Sequence, residues 1–222
     1  MDPAIARAIT LEVGHPVPFR DEELDSIVNL AVQHARGISG LERCGSLRIL
    51  ILSGHGISTI PNLGGFPALR SLTVCDSDVR GIGAVSTAPS LRVLNLMRNL
   101  VADISLTLEC AELSLLDVRG NPLSDMSYRE VIPELRNKGV NVQASEERVW
   151  ALTRALHAAG LPFCYYRYED HHRLSRPGLT RTAVPECGHI RITPQELENL
   201  LATNPSDIEA LFNDPSRVSG KL

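Results

Sequence analysis

The sequence predicts an α/β fold, a right-handed solenoid in which short strands stack into one curved parallel sheet. Three observations predict it. Leu47, Leu69, Leu91 and Leu113 stand 22 residues apart, and each opens the same pattern: Leu47-Arg48-Ile49-Leu50-Ile51-Leu52, Leu69-Arg70-Ser71-Leu72-Thr73-Val74, Leu91-Arg92-Val93-Leu94-Asn95-Leu96 and Leu113-Ser114-Leu115-Leu116-Asp117-Val118. Within each pattern apolar residues alternate, as they do on a strand with one buried face. The chain also holds 31 leucines against 9 aromatic residues among its 222, so the core is built from aliphatic side chains of similar shape.

The elements follow in chain order. Ala4 to Val13 carries Ile5, Ile9 and Val13 at helical spacing and reads as an amphipathic cap over the first coil, because an open solenoid end would leave an apolar cross-section in water. Phe19 to Leu24 leads into a first strand unit, with Asp25 at the leading leucine position and Val28 and Leu30 at the two inward positions. Three residues beyond each strand pattern stand Gln33, His55, Ser77, Asn99 and Asn121, followed by Ala35, Ile57, Val79, Val101 and Leu123; Ile38, Ile60, Ile82 and Ile104 recur at the same period. A polar side chain in the first of these columns can satisfy backbone groups where the chain turns out of the strand. Asn99 and Asn121 suit that task best, and His55 and Ser77 interrupt a regular ladder.

These residues give the chain its resemblance. Over about residues 25 to 142 it resembles the leucine-rich repeat family in its 22-residue, bacterial, internalin-like variant, and the helix with the Phe19–Leu24 segment resembles that group's N-terminal cap. The resemblance implies a bacterial origin and a scaffold that binds other proteins. After the repeats, Ser124 or Asp125 can cap a helix running to about Asn137, followed by Gly139 and a strand at Val140-Asn141-Val142.

Beyond residue 145 the composition changes: six of the nine aromatics lie in the last 77 residues. Leu135, Gly139 and Val142 are echoed by Leu156, Gly160 and Phe163, which predicts a helix over 146–159 and a strand over 163–168 extending the same parallel sheet. Glu169 to Gly188 reads as a long loop and His189 to Thr193 as a short strand. Two short helices then start at Thr193 with Pro194, and at Ser206, where Ser206-x-x-Glu209 fits a capping box. The expected organisation is a helical N-terminal cap over 1–24, a solenoid over 25–145 and an α/β extension or cap over 146–222. A cap is favoured over an independent domain, because 77 residues with a long loop bury little.

For function, 43% hydrophobic and 22% charged residues exclude a disordered tail, and no run reaches the ~18 apolar residues of a membrane helix. The net charge of −4 argues against a general polyanion binder. Five cysteines, an odd number and widely spaced, read as reduced thiols; with no secretory leader pattern they predict a cytoplasmic protein. No nucleophile elbow, phosphate loop or zincin motif is present, so neither enzyme activity nor a cofactor is expected.

The favoured site is the concave face, where a partner protein is expected to meet Ile49, Ile51, Thr73, Val93, Asn95, Leu115 and Asp117. One outward column is read as Ile27, Ile49, Ser71, Val93 and Leu115, the next as Asn29, Ile51, Thr73, Asn95 and Asp117. Arg48, Arg70 and Arg92 line one border, while Met97 and Arg119, with Asp76 and Arg98, lie near the other. An apolar stripe rimmed by charge has the anatomy of a protein interface. The rival is an activity in the C-terminal segment. Cys164, His171, His172, Cys187 and His189 could ligate a metal, although their spacing matches no zinc knuckle, and Tyr165, Tyr166 and Tyr168 among seven arginines between 148 and 191 could bind nucleic acid.

Overall fold

The computed structural model describes residues 1–218. Helix α1 (Pro3–Val13) opens with Asp2, whose carboxylate accepts from the Ala4 amide at 2.8 Å, and ends at Gly14, which takes the left-handed conformation that a closing turn requires. Its buried side chains Ala4, Ile5 and Ile9 cover the first coil. A five-residue helix, α2 (Asp21–Asp25), precedes the sheet.

Six strands then pair in parallel and in chain order: β1 (Asn29–Gln33), β2 (Ile49–Ser53), β3 (Ser71–Cys75), β4 (Val93–Asn95), β5 (Leu115–Asp117) and β6 (Asn141–Gln143). From β2 to β5 the register steps by the 22-residue repeat, with Leu50 opposite Leu72, Leu94 and Leu116 in turn. Between β1 and β2 it does not. Leu30 lies opposite Leu50 and Val32 opposite Leu52, a step of 20, because the first coil is two residues shorter. The inward pair of the first unit is therefore Leu30 and Val32, not Val28 and Leu30; Val28 is 40% exposed and Ile27 is buried. The columns counted back by 22 shift with it, so the first outward columns begin at Asn29 and Ala31 instead of Ile27 and Asn29.

Convex turns at Leu41–Arg43, Val85–Thr87 and Ser105–Glu109 return each coil, with Cys44, Phe66 and Ala88 buried beneath them. Asp125 does begin a helix. It passes through a π-turn at Ser127–Val131 before α3 (Ile132–Asn137), and the wider turn accommodates Pro133, which has no amide hydrogen to donate.

The C-terminal segment departs from the expectation. Helix α4 (Glu147–Ala158) closes the end of the solenoid: Trp150 joins the main core, stacks on Tyr128 at 4.0 Å and donates its indole N–H to the Leu123 carbonyl at 2.8 Å. The chain then leaves along the flank. Strand β7 (Cys164–Tyr168) does not extend the parallel sheet but turns at Glu169-Asp170 into β8 (His171–Ser175), and both join β9 (Ile190–Arg191) in a separate antiparallel sheet. The expected loop over 169–188 thus contains a strand. Helices α5 (Pro194–Thr203) and α6 (Asp207–Ala210) follow. Thr193 caps α5 through the Glu196 amide, whereas the capping box at Ser206 does not form and its hydroxyl donates to the Asn204 side chain. Val149, Leu152, Leu156, Phe163, Tyr165, Leu174, Ile190, Ile192, Leu197 and Ile208 make a second core, distinct from that of the solenoid.

Candidate functional site

Outward-pointing residues of the six strands form two rows. The first runs Asn29, Ile49, Ser71, Val93, Leu115 and Asn141; the second runs Ala31, Ile51, Thr73, Asn95, Asp117 and Gln143. Ile49 and Ile51 are 40% and 39% exposed, and Ser71, Thr73, Val93, Asn95 and Leu115 are half-buried. Asp117 differs: it is 3% exposed, and Arg119 binds its carboxylate at 2.6 Å. Asn95 and Asp117 also accept from the amides of Met97 and Arg119 at 3.0 and 3.1 Å, steadying the chain as it leaves each strand. One border of the sheet carries Arg48, Arg70 and Arg92, all exposed, whose backbones are bonded in series.

The other border is occupied by the protein itself. Just beyond each strand the backbone turns left-handed, at His34, Gly54 and Asp76 directly after β1 to β3 and at Arg98 and Gly120 three residues after β4 and β5. A non-glycine residue there costs about 1–2 kcal/mol. The three that are not glycine all engage the C-terminal segment. His34 meets Glu186 at 2.7 Å; the Asp76 carbonyl accepts from the Gly178 amide at 3.0 Å; Arg98 lies under the Tyr166 ring, 5.0 Å from its centroid. Asp76 and Arg98 also pair through two hydrogen bonds of 2.6 Å, both side chains buried. Burial works against the Arg98 charge, but the Asp76 carboxylate more than offsets it and raises the guanidinium pKa. Next to this pair, Tyr166 and His189 Nδ1 meet at 2.5 Å, and His189 Nε2 donates to the Pro185 carbonyl at 2.7 Å. Burial pushes the His189 pKa down, with the nearby Asp76 carboxylate opposing.

Two residues on, Asp78 receives Thr180 Oγ1 at 2.8 Å and Arg181 at 2.7 Å, and a Cβ on Gly178 would collide with its carboxylate. The Cys164 thiol donates to the Asn99 carbonyl at 3.2 Å. Residues 176–189 therefore strap the flank and leave the sheet face open. Sequence reasoning placed Asp76 and Arg98 beside a binding face and missed the strap; its visible signal is the row His34, Gly54, Asp76, Arg98, Gly120, where charge or imidazole stands at three positions that would favour glycine.

The C-terminal candidates do not converge. Among the described residues no three His, Cys, Asp or Glu side chains gather as metal ligands. Tyr165 and Tyr166 are buried, leaving Tyr168 as the half-open ring, with Arg173 over it at 4.5 Å. Arg148, Arg154, Arg167 and Arg181 pair with Glu198, Asp125, Glu146 and Asp78. All five cysteines are free thiols, and burial pushes Cys44 and Cys75 up to about 11, away from reactive thiolate. No described helix is long and apolar enough to cross a membrane.

The repeat and the strand register define a leucine-rich repeat solenoid. No family model matches the sequence, and no curated protein matches it. Solved structures similar to it include three from Listeria monocytogenes. Internalin C2 is 18% identical over 66% of this chain and 87% of that one, with a TM-score of 0.38. Internalin InlF is 15% identical over 69% and 66%, with a TM-score of 0.35. The functional domain of InlJ is 15% identical over 65% and 41%, with a TM-score of 0.45. The fold assignment itself stands on the repeat and the sheet.

Proposed function

We propose that the protein is a non-enzymatic interaction module of the cytoplasm that binds a partner protein on the concave face of its sheet. The observation that carries this reading is a pair of outward apolar patches, Ile49 with Ile51 on β2 and the half-buried Val93 with Leu115 on β4 and β5, separated by Ser71 and Thr73 and bordered by Arg48, Arg70 and Arg92. Apolar side chains lying next to one another on a surface gain most when another protein covers them. Thr73, Asn95 and Arg119 complete a polar edge beside the apolar Met97, and Asp117 holds Arg119 in place. The C-terminal extension braces the opposite flank and has no part in the contact.

The test is capture of partners from native lysate by the wild type and by the Ile49→Arg, Val93→Arg double variant. Both positions are solvent-facing, so the melting temperature is expected to stay within a few degrees while capture is lost. A partner retained by the double variant would place the site elsewhere.

A further inference from the structure

We infer that the concave face accepts an amphipathic helix of the partner, one with a row of acidic residues at i, i+3 or i+4, and i+7 beside an apolar row. This rests on the concave-face reading above and adds the chemistry and shape of what binds there.

Positive charge lines one border of the face. Arg70 donates its amide to the Arg48 carbonyl at 2.9 Å and Arg92 to the Arg70 carbonyl at 2.8 Å, so the three residues sit on consecutive rungs. Strands in a sheet are about 4.8 Å apart, which sets the rise of this ladder. Arg92 reaches Glu112 at 3.1 Å through a pair that is itself half exposed, whereas Arg48 and Arg70 have no ion pair among the described residues. Three like charges on one edge of an apolar stripe, two of them uncompensated, complement an occupant that is acidic along one edge and apolar next to it.

The occupant's backbone must bring its own hydrogen bonds. Every strand between β1 and β6 already pairs on both sides, so the face presents side chains and no free backbone groups to an extended peptide. An extended segment laid over Ile49, Ile51 and Val93 would desolvate its own amides and carbonyls without replacement partners. A helix brings those bonds with it. Spacing agrees: three to four residues of helix rise about 4.5–6 Å, bracketing the ladder, while same-face residues of a strand lie about 6.6 Å apart. Single-stranded nucleic acid would find phosphate partners but no ring on which to stack, since none of the residues in the two outward rows is aromatic.

The experiment uses the full chain and three labelled synthetic peptides, read by fluorescence anisotropy: a helical peptide with a leucine face and a flanking glutamate row, the same peptide with lysine in that row, and the glutamate peptide broken by a central proline. The glutamate helix is expected to bind saturably and to weaken with added salt, and the other two to bind far less. Arg48→Ala with Arg70→Ala should weaken it about tenfold, the sum expected of two exposed charge contacts. Arg48→Glu with Arg70→Glu should transfer preference to the lysine helix while the melting temperature holds. Absence of saturable binding by the glutamate helix, equal binding by the lysine or proline peptides, or an RNA oligonucleotide that binds through the same arginines, would each overturn the inference. If the helix fails while Ile49→Arg, Val93→Arg still abolishes lysate capture, the partner's class is wrong and the face is right; if both fail, the face itself is wrong.

Discussion

His55 stands where Asn99 and Asn121 stand in later units. Those two asparagines are buried; their amides donate to the carbonyls of Val74 and Leu96 at 2.7 Å, and they accept from the amides of Val79 and Val101. Ser77 carries a shorter version, accepting from the His55 amide at 2.8 Å and donating to the Cys75 carbonyl. The column was legible from its period, and so was its weakening at His55 and Ser77. What the residue types could not reveal is the protonation consequence. Burial pushes the His55 imidazole down to about 4, with the Asp2 carboxylate and then the Val32 carbonyl opposing, and burial does the same to His157. Below its ordinary value of 6.5 the unfolded chain takes up protons that the folded rings refuse. Stability is therefore full above about 6.5 and falls as pH drops toward about 4, by on the order of 3 kcal/mol for His55. Urea unfolding at stepped pH should show this slope, reduced in His55→Asn, which also offers an amide to the ladder; an unchanged slope would mean the ring is already charged in the fold. At the buried pair, Asp76→Ala leaves Arg98 without its counter-charge and should cost about 3–5 kcal/mol by the same measurement, with Asp76→Ala, Arg98→Met recovering part of the loss.

Elements with an unbroken apolar period were readable, and those held by pairing alone were not. Strand β8 runs His171-His172-Arg173-Leu174-Ser175, with a single aliphatic residue, and its turn is Glu169-Asp170 where a hairpin would ordinarily advertise glycine or asparagine. Its place comes from pairing with β7 and from burial of Arg173, Leu174 and Ser175 against the extension. The β7 strand was visible, but its partner depended on where α4 sends the chain, and the Trp150 anchor sends it to the flank. Glu169 adopts φ +53° at the hairpin turn. Glu169→Gly should relieve about 1 kcal/mol of strain and raise the melting temperature by a few degrees. Gly54 is the converse: at φ +62° a Cβ would come within 2.9 Å of the His34 ring, so Gly54→Ala should destabilise by more than the strain alone, read in the same melts.

At the scale of the molecule, two cores have to be explained together. The solenoid core and the extension core share no buried residue, yet α4 contributes Trp150 to the first and Val149, Leu152 and Leu156 to the second. The strap adds His34–Glu186, Asp78–Arg181 and the neighbourhood of Asp76, Arg98, Tyr166 and His189. None of this was accessible from the repeat, because the flank row lies at the strand ends and its partners lie some hundred residues further on. Removing either body would leave the other with a buried ion pair opened to water or an apolar end uncovered, so the two are expected to unfold as one. The aromatic distribution makes that measurable: near-ultraviolet dichroism reports mainly the last 77 residues, which hold six of the nine rings, while far-ultraviolet dichroism reports the whole backbone. The two signals should melt at a common midpoint. Leu94→Asp, at a fully buried position of the solenoid, removes about 1.5–3 kcal/mol of burial and adds an unpaired carboxylate that costs more. It should abolish both signals, although Leu94 belongs to the solenoid core and not to that of the extension. A variant that lost its sheet signal while keeping native aromatic dichroism would show that the extension folds alone and that the strap rests on the solenoid without coupling to it.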